Sequence, residues 1–350
     1  MKKLLLASTA LVMSAGVAAA DVALSGDARM GLIYDGSDVQ MTSRARVTFT
    51  LSGETDAGLA FGASFRADNA TGAAAGTAGS VFISGDWGKL TMGDVAGAAR
   101  AATGDLYGVG LTGLGDLNEV AYIDRITNDL DGFINTLLGA GGAGFTVNTG
   151  LAALPRALYE YSIDGFSIYA SVGQMAKSNS IDVIVPIPDT DANDVFTFPG
   201  ANASLRELAI GASYSFDGFT GALGYEDTRI KAFGTSVSLK HLTGSAEYAM
   251  DGFKGKVFAG RASGDLGTLL SGADTSRTQY GVSVEGSFDA TTVTAFAHRT
   301  FFKENNYGIG ASYDLGGGAS LVGGVVRQGS SVALGTASNT VADFGVAFSF

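Results

Sequence analysis

Apolar and polar residues alternate with a period of two along most of this chain, the pattern of β-strands with two unlike faces. In the run 22–34, Val22, Leu24, Ala28, Met30 and Leu32 point one way and Ser25, Asp27 and Arg29 the other. In 40–51, Ala45, Val47, Phe49 and Leu51 oppose Arg44, Arg46, Thr48 and Thr50, and in 58–68, Leu59, Phe61, Ala63 and Phe65 oppose Ser64 and Arg66. Shorter runs follow at 80–85 and 88–94. The pattern resumes at 156–163, 166–175, 205–216, 219–229, 237–250, 253–263, 277–289, 291–302, 305–315, 319–328 and 340–350, which predicts sixteen strands.

The connections alternate as well. Tight turns such as Asp86-Trp87, Asp164-Gly165, Asp217-Gly218 and Asp251-Gly252 close one end, and longer polar loops close the other. An even number of antiparallel strands joined in this way is the pattern of an outer-membrane barrel. The tetrads Ile163–Phe166, Phe216–Phe219 and Met250–Phe253 set an aromatic beside each Asp-Gly turn, where an interfacial girdle belongs. In the closing run Ala342, Phe344, Val346, Phe348 and Phe350 share one face, so the first and last strands can pair and leave no edge.

Two stretches break the alternation. Residues 94–155 carry Asp94, Asp105, Asp116, Glu119, Asp124, Asp129 and Asp131 among glycines, with only Arg100 and Arg125 against them. A structureless stretch that long points to a functional loop, here one folded into the barrel lumen. The second interruption, 176–204, holds Pro186, Pro188 and Pro199, and with Pro155 it places all four prolines at loop positions. Leu130–Phe133 repeats the Asp-Gly tetrad inside the long loop, where a hairpin would upset the strand count.

Composition then fixes the compartment. Lys2 and Lys3, the apolar run Leu4–Val12 and the pair Ala18 and Ala20 form a secretory signal peptide over residues 1–20, leaving a single barrel domain at 21–350. Later in the chain no stretch reaches about 20 consecutive apolar residues, so no membrane helix is expected. Removing the two lysines takes the formal charge from -12 to -14, an acidic balance that argues against nucleic acid as a partner. The absence of cysteine rules out disulfides in an exported chain, so backbone pairing and packing must hold it.

Alternation by itself does not separate a soluble sandwich from a membrane barrel, whose apolar face is outermost. Size, the export signal, the terminal Phe and the lack of disulfides favour the barrel. Arg29, Arg44, Arg46 and Arg66 then enter the lumen from three consecutive strands as a basic wall, faced by the loop carboxylates Asp105, Asp116, Glu119 and Asp124. Charged side chains at a constriction set ion selectivity; the plainer reading is that these arginines are ordinary lumen charges paired with neighbours such as Asp27. Gly108-x-Gly110-x-x-Gly113 has dinucleotide-loop spacing without the strand and helix that loop requires. His241 and His298 stand alone without cysteine, so no cofactor or His/Cys metal cluster is expected; acids near loop tips leave room for a calcium ion. A barrel hydrolase using a histidine base lacks a Gly-x-Ser-x-Gly elbow, and a plugged barrel for binding or adhesion is the other rival.

The chain resembles the general porins of photosynthetic and related alphaproteobacteria, on Leu24–Gly31, Ser43–Arg46, Gly62–Arg66, Gly104–Tyr107 and the run from Gly308 to Ser320. The resemblance implies a sixteen-stranded homotrimer in the outer membrane, set in lipid and lipopolysaccharide. It also implies passive diffusion of ions and small hydrophilic solutes past an inward-folded third external loop. The family's basic wall matches Arg29, Arg44, Arg46 and Arg66, and its acids match Asp105 and Glu119, with Asp116 and Asp124 further candidates. The chain departs from the family at glycines 108, 113 and 115, and in an apolar, glycine-rich insertion at 130–153.

Overall fold

The computed structural model describes residues 21–70, 79–128, 131–132, 135, 146–149, 155–173, 176–186, 193–232, 234–272 and 274–350. The expected signal peptide and most of the 130–153 insertion lie outside these residues.

Among the described residues, eighteen strands and three short helices run in the order β1 (Asp21–Tyr34), β2 (Val39–Glu54), β3 (Ala60–Ala70), β4 (Ser80–Gly85), β5 (Gly88–Gly93), α1 (Ala98–Thr103), α2 (Ile123–Asn128), β6 (Thr146–Asn148), β7 (Arg156–Ile163), β8 (Phe166–Gly173), β9 (Ala176–Pro186), β10 (Asn193–Phe216), β11 (Phe219–Ala232), β12 (Thr235–Met250), β13 (Phe253–Ser263), α3 (Gly264–Leu269), β14 (Thr278–Phe288), β15 (Thr291–Arg299), β16 (Asn305–Gly316), β17 (Ala319–Gln328) and β18 (Asn339–Ser349). Sixteen of them, all but β6 and β9, pair antiparallel with their neighbours around a closed barrel. β1 closes it on β18, with Asp27 opposite Ser349 and Tyr34 opposite Ala342. Gly26 and Phe350 exchange backbone hydrogen bonds of 3.2 and 2.9 Å across this seam, so no wall strand is left with a bare edge.

The tight turns form as their residues dictate. Asp164-Gly165 and Asp217-Gly218 both take positive φ, 47° and 80° in the first and 45° and 78° in the second. That is the type I′ geometry whose twist matches the flanking strands. Tyr214, Phe216, Tyr248, Phe253, Phe288 and Tyr313 stand exposed on the outside near this end, as a girdle should. Burial is inverted relative to a soluble protein: Leu24, Ile210, Leu223 and Phe344 are exposed on the outer face, whereas Glu226, His241, Gln279 and Thr228 are fully buried on the inner one. The apolar face therefore meets lipid.

The interruption at 176–204 differs from expectation. β9 pairs with the upper part of β10 from Ala176 opposite Leu205 to Pro186 opposite Asn193, and β6 adds to β9 as a third strand. Pro199 lies within β10, at the register break between Pro199 and Ala203, so its missing N–H falls where the ladder is already interrupted. Pro186 ends β9, and Pro188 lies outside the described residues. In the tetrad at 130–133, Asp131 and Gly132 are helical and the flanking residues lie outside the description. Asp131 instead accepts hydrogen bonds from the Thr149 backbone N–H (2.9 Å) and hydroxyl (2.6 Å).

Candidate functional site

Strand register alone brings the four arginines together. Arg29 lies directly opposite Arg44 between β1 and β2, and Arg46 opposite Asp68 and Thr48 opposite Arg66 between β2 and β3. All four share the inner face. Like charges set directly across a sheet repel, and the structure answers with two carboxylates. Arg44 donates to Asp27 Oδ1 at 2.6 Å, while Asp68 accepts from Arg46 Nε at 3.0 Å and Arg66 Nε at 2.6 Å. Four cations and two carboxylates leave a formal +2 on this wall.

The loop takes the opposite side. Ala98 N donates to Ser171 Oγ on β8 at 2.8 Å, and α1 then lies across β8, β10, β11 and β12. It can come this close because the wall beneath is glycine: a Cβ on Gly211 would stand 2.5 Å from Ala98 O, and one on Gly224 2.7 Å from Ala99 Cα. The same holds further round. Leu106 sits on Gly281 of β14, Gly110 on Gly324 of β17, and Leu111 on Gly345 of β18 and Gly31 of β1. These inward-facing glycines form a trough in which residues 98–111 run round the wall.

At the far end of the trough, Leu111 N and Thr112 N donate to Asp343 at 2.9 and 2.6 Å, and Leu111 O accepts from Arg29 at 3.2 Å. The loop then doubles back. Ala121 exchanges two hydrogen bonds with the Gln279 side chain, and Glu226 accepts from Ile123 N at 3.1 Å and Asp124 N at 3.3 Å. His241 Nδ1 lies 2.9 Å from the same Glu226 carboxylate. In the last turn of α2, Thr127 donates to Glu207 at 2.6 Å, and beyond the loop Arg156 pairs with Glu207 in full burial. Tyr122, Leu106 and Val120 pack on Phe258, while Ile123 joins Leu205, Ile230 and Leu239. Among the described residues no hydrogen bond joins 98–128 to β2, β3, β4 or β5.

The loop acids separate into two groups. Asp105 accepts from both terminal nitrogens of Arg125 at 2.8 Å, and Glu119 takes a third contact to Arg125 at 2.9 Å. Asp116 is exposed in a turn with positive φ, and the Glu119 side chain is 42% exposed. Burial of the remainder pushes the Glu119 carboxyl above its ordinary 4.5, with Arg125 working against the rise. Asp124 departs from the expected acidic face: it is 1% exposed, accepting from Arg100 Nε at 2.7 Å and Gly97 N at 2.8 Å. It ties the two legs of the loop together instead of meeting water.

Sequence reasoning missed Asp68, Arg125, Glu226, Glu207, Arg156 and Asp343 as parts of this arrangement. Their signal was a charged residue at an inward position of a strand, or opposite in sign to its loop neighbours. His241 and His298 are both absorbed in holding the loop, His298 with Nδ1 3.4 Å from Leu117 O. Gly110 and Gly113 take positive φ in the irregular loop, not in a strand-to-helix turn.

Residues 7–332 match the family model of the Gram-negative porins. The chain belongs to that family. The porin of Rhodobacter capsulatus is 37% identical over 353 residues, covering 94% of this chain and all of the relative. A porin structure refined at 1.8 Å superposes with a TM-score of 0.66 at 33% identity, over 94% of this chain and all of that one. A triple mutant of Rhodopseudomonas blastica porin, at 22% identity and TM-score 0.55 over the same shares, matches in fold. This porin is thus an outer-membrane channel and not an enzyme, and its sixteen-stranded barrel is the channel's wall.

Proposed function

We propose that ions and small hydrophilic solutes diffuse through the part of the lumen left between loop 94–155 and the wall of β1, β2 and β3. Arg29, Arg44, Arg46 and Arg66 form its basic side, and Asp105, Asp116 and Glu119 its acidic side; Asp124 acts as a tie within the loop. The observation that carries this reading is the one-sided seating of the loop, which covers the wall from β8 and β10 round to β1, while among the described residues no hydrogen bond joins 98–128 to β2, β3, β4 or β5. With Arg125 counted, the three acids leave the loop a formal −2 against +2 on the wall, a transverse field of the kind that filters by charge. Among the described residues no group of three or more His, Cys, Asp or Glu is placed to hold a metal, and none enters the proposal.

The active form in this proposal is a homotrimer of mature chains cut after Ala20. Its support is the outer face: from β18 through β1 to β5, β7 and β8, no outward position carries Asp, Glu, Lys or Arg, and Gly26, Ala28, Ser43, Ala45, Ala63 and Ala67 make part of it smooth. Planar-bilayer recordings test both points. Stable steps closing in threes, from protein that runs above monomer mass unless boiled, are expected. Properly inserted protein without conductance would overturn the channel path and favour a plugged lumen; single independent steps would overturn the trimer.

A further inference from the structure

At the turn end of the lipid face, the apolar surface is notched where β12, β13, β14 and β15 run side by side. Gly255 on β13 and Gly286 on β14 both face outward, on the parity of exposed Val257 and Val284, and leave a groove of about 450 Å³ in the wall. Tyr248 on β12 and Val293 on β15 stand at its two sides. Phe253 and Phe288 meet edge to face over Gly286, ring centroids 5.3 Å apart and planes at 80°, and close the end nearest the turns. Gly255 is open by contrast: a Cβ there would meet nothing nearer than 3.9 Å. It stands three residues above Gly252, which at about 3.4 Å per residue and a tilt of about 40° is about 8 Å along the barrel axis. The groove therefore lies in the hydrocarbon just beneath the headgroups, at the depth of the first methylenes of an acyl chain.

Charge at the mouth of the groove has one sign. Asp251, two residues from Phe253, and Asp289, next to Phe288, are both exposed in the turns that border it. Among the described residues, no Lys or Arg points outward on the turn half of β12 to β15. Lys254 turns into the lumen instead, lying over the Tyr107 ring at 4.7 Å and pairing with Glu285 at 2.9 Å. Lys256 also faces inward, opposite Glu247. Two carboxylates thus meet the interface with no outward cation of the chain to balance them. Such a field repels an anionic headgroup and draws an ammonium.

We propose that the groove holds one acyl chain of a phosphatidylethanolamine from the periplasmic leaflet, whose ammonium group is held by the Asp251 and Asp289 carboxylates. The inference rests on the outer-membrane placement, with the short turns on the periplasmic side. A primary ammonium brings three N–H donors together with a full charge, the combination that makes hydrogen bonds to carboxylates strong. Phosphatidylcholine keeps the charge without a donor, and phosphatidylglycerol has neither, so the three lipids should rank in that order.

The test titrates the delipidated porin in detergent with dioleoyl phosphatidylethanolamine, phosphatidylcholine and phosphatidylglycerol, read by native mass spectrometry. Wild-type protein is expected to bind the ethanolamine lipid about tenfold more tightly than the glycerol lipid. Gly255→Leu, which fills the open floor, should weaken binding of all three. Asp251→Asn/Asp289→Asn should erase the ranking and leave the choline lipid bound as before; asparagine tolerates the positive φ of residue 289, so the turn is kept. Equal wild-type binding of the ethanolamine and glycerol lipids overturns the proposal, and so does a ranking that survives the double aspartate change. Undiminished binding by Gly255→Leu overturns the groove as the place of the chain. If Gly255→Leu does not fold, the double aspartate variant, which leaves the wall untouched, decides by itself. Both variants are expected to conduct as wild type in phosphatidylcholine bilayers, so loss of the channel reading and loss of this one give different results.

Discussion

Replacing Arg44 and Arg46 together by glutamine removes two of the four cations from the β1–β3 wall and takes its formal charge from +2 to 0. Neutral replacements leave Asp27 and Asp68 without like-charged intruders, so the barrel is expected to fold. For an ion passing at about 6 Å in water, one unit charge is worth about 0.7 kcal/mol, so two are worth about 1.4 kcal/mol. Cation and anion respond in opposite directions, which doubles the difference to about 2.8 kcal/mol. Screening at 0.1 M salt, where the Debye length is about 10 Å, removes roughly half. The remaining ~1.5 kcal/mol corresponds to about a tenfold change in the cation-to-anion permeability ratio. Reversal potentials under a salt gradient in a planar bilayer read this directly, and the shift is expected toward cations and to shrink at high salt. A reversal potential that does not move would refute the placement of these arginines at the narrowest point, whatever the conductance.

Glu226→Ala removes the acceptor of two loop N–H groups and the partner of His241, all in full burial. At about 1.5–3 kcal/mol for each hydrogen bond to a charged group, the second leg of the loop should come loose. Noisy open-channel current and faster proteolysis within 98–128 are expected, and wild-type cleavage rates would count against the anchor. Glu119 has its carboxyl raised by burial, so the folded protein holds that proton more tightly than the unfolded chain. Its cost to stability is therefore present at neutral pH and disappears as pH falls through the raised value. Over the same range the loop goes from −2 to −1, and permeability should move toward anions with a midpoint above 4.5; Glu119→Gln should abolish that step, and a step that persists would assign it elsewhere. On the lipid face, Leu223 is 65% exposed and four residues above Phe219, near mid-band. Leu223→Arg should cost about 2–4 kcal/mol in urea unfolding from vesicles, and an unchanged midpoint would contradict the membrane orientation.

Most of the wall was legible because lipid enforces a rule: every second residue of a spanning strand must be apolar, and Val22–Leu32 or Phe344–Phe350 cannot satisfy it by accident. The rule lapses above the membrane. β9 and the upper part of β10 pair in water on both sides, so nothing imposes alternation on Ala176–Ala203 and their prolines read as loop. Within the site, parity placed Arg29, Arg44, Arg46 and Arg66 on one face, but the position of Asp68 between two of them depends on register, which parity does not reveal. Asp124 and Asp116 look alike as loop carboxylates. What separates them is whether Arg100 and Gly97 fold back over the side chain, a tertiary fact. The trough was invisible for a simpler reason: glycine has no side chain to count toward either face.

That trough also means that the size of the opening is written on the wall as much as in the loop. Residues 98–111 rest on Gly211, Gly224, Gly281, Gly324, Gly345 and Gly31 as a shelf rests on its brackets. Each methyl group added beneath would lift part of that shelf toward β2 and β3 and shrink the free cross-section without altering a charge or a loop residue. Two members of this architecture could thus differ in the largest solute they admit while carrying identical sequences at 94–155.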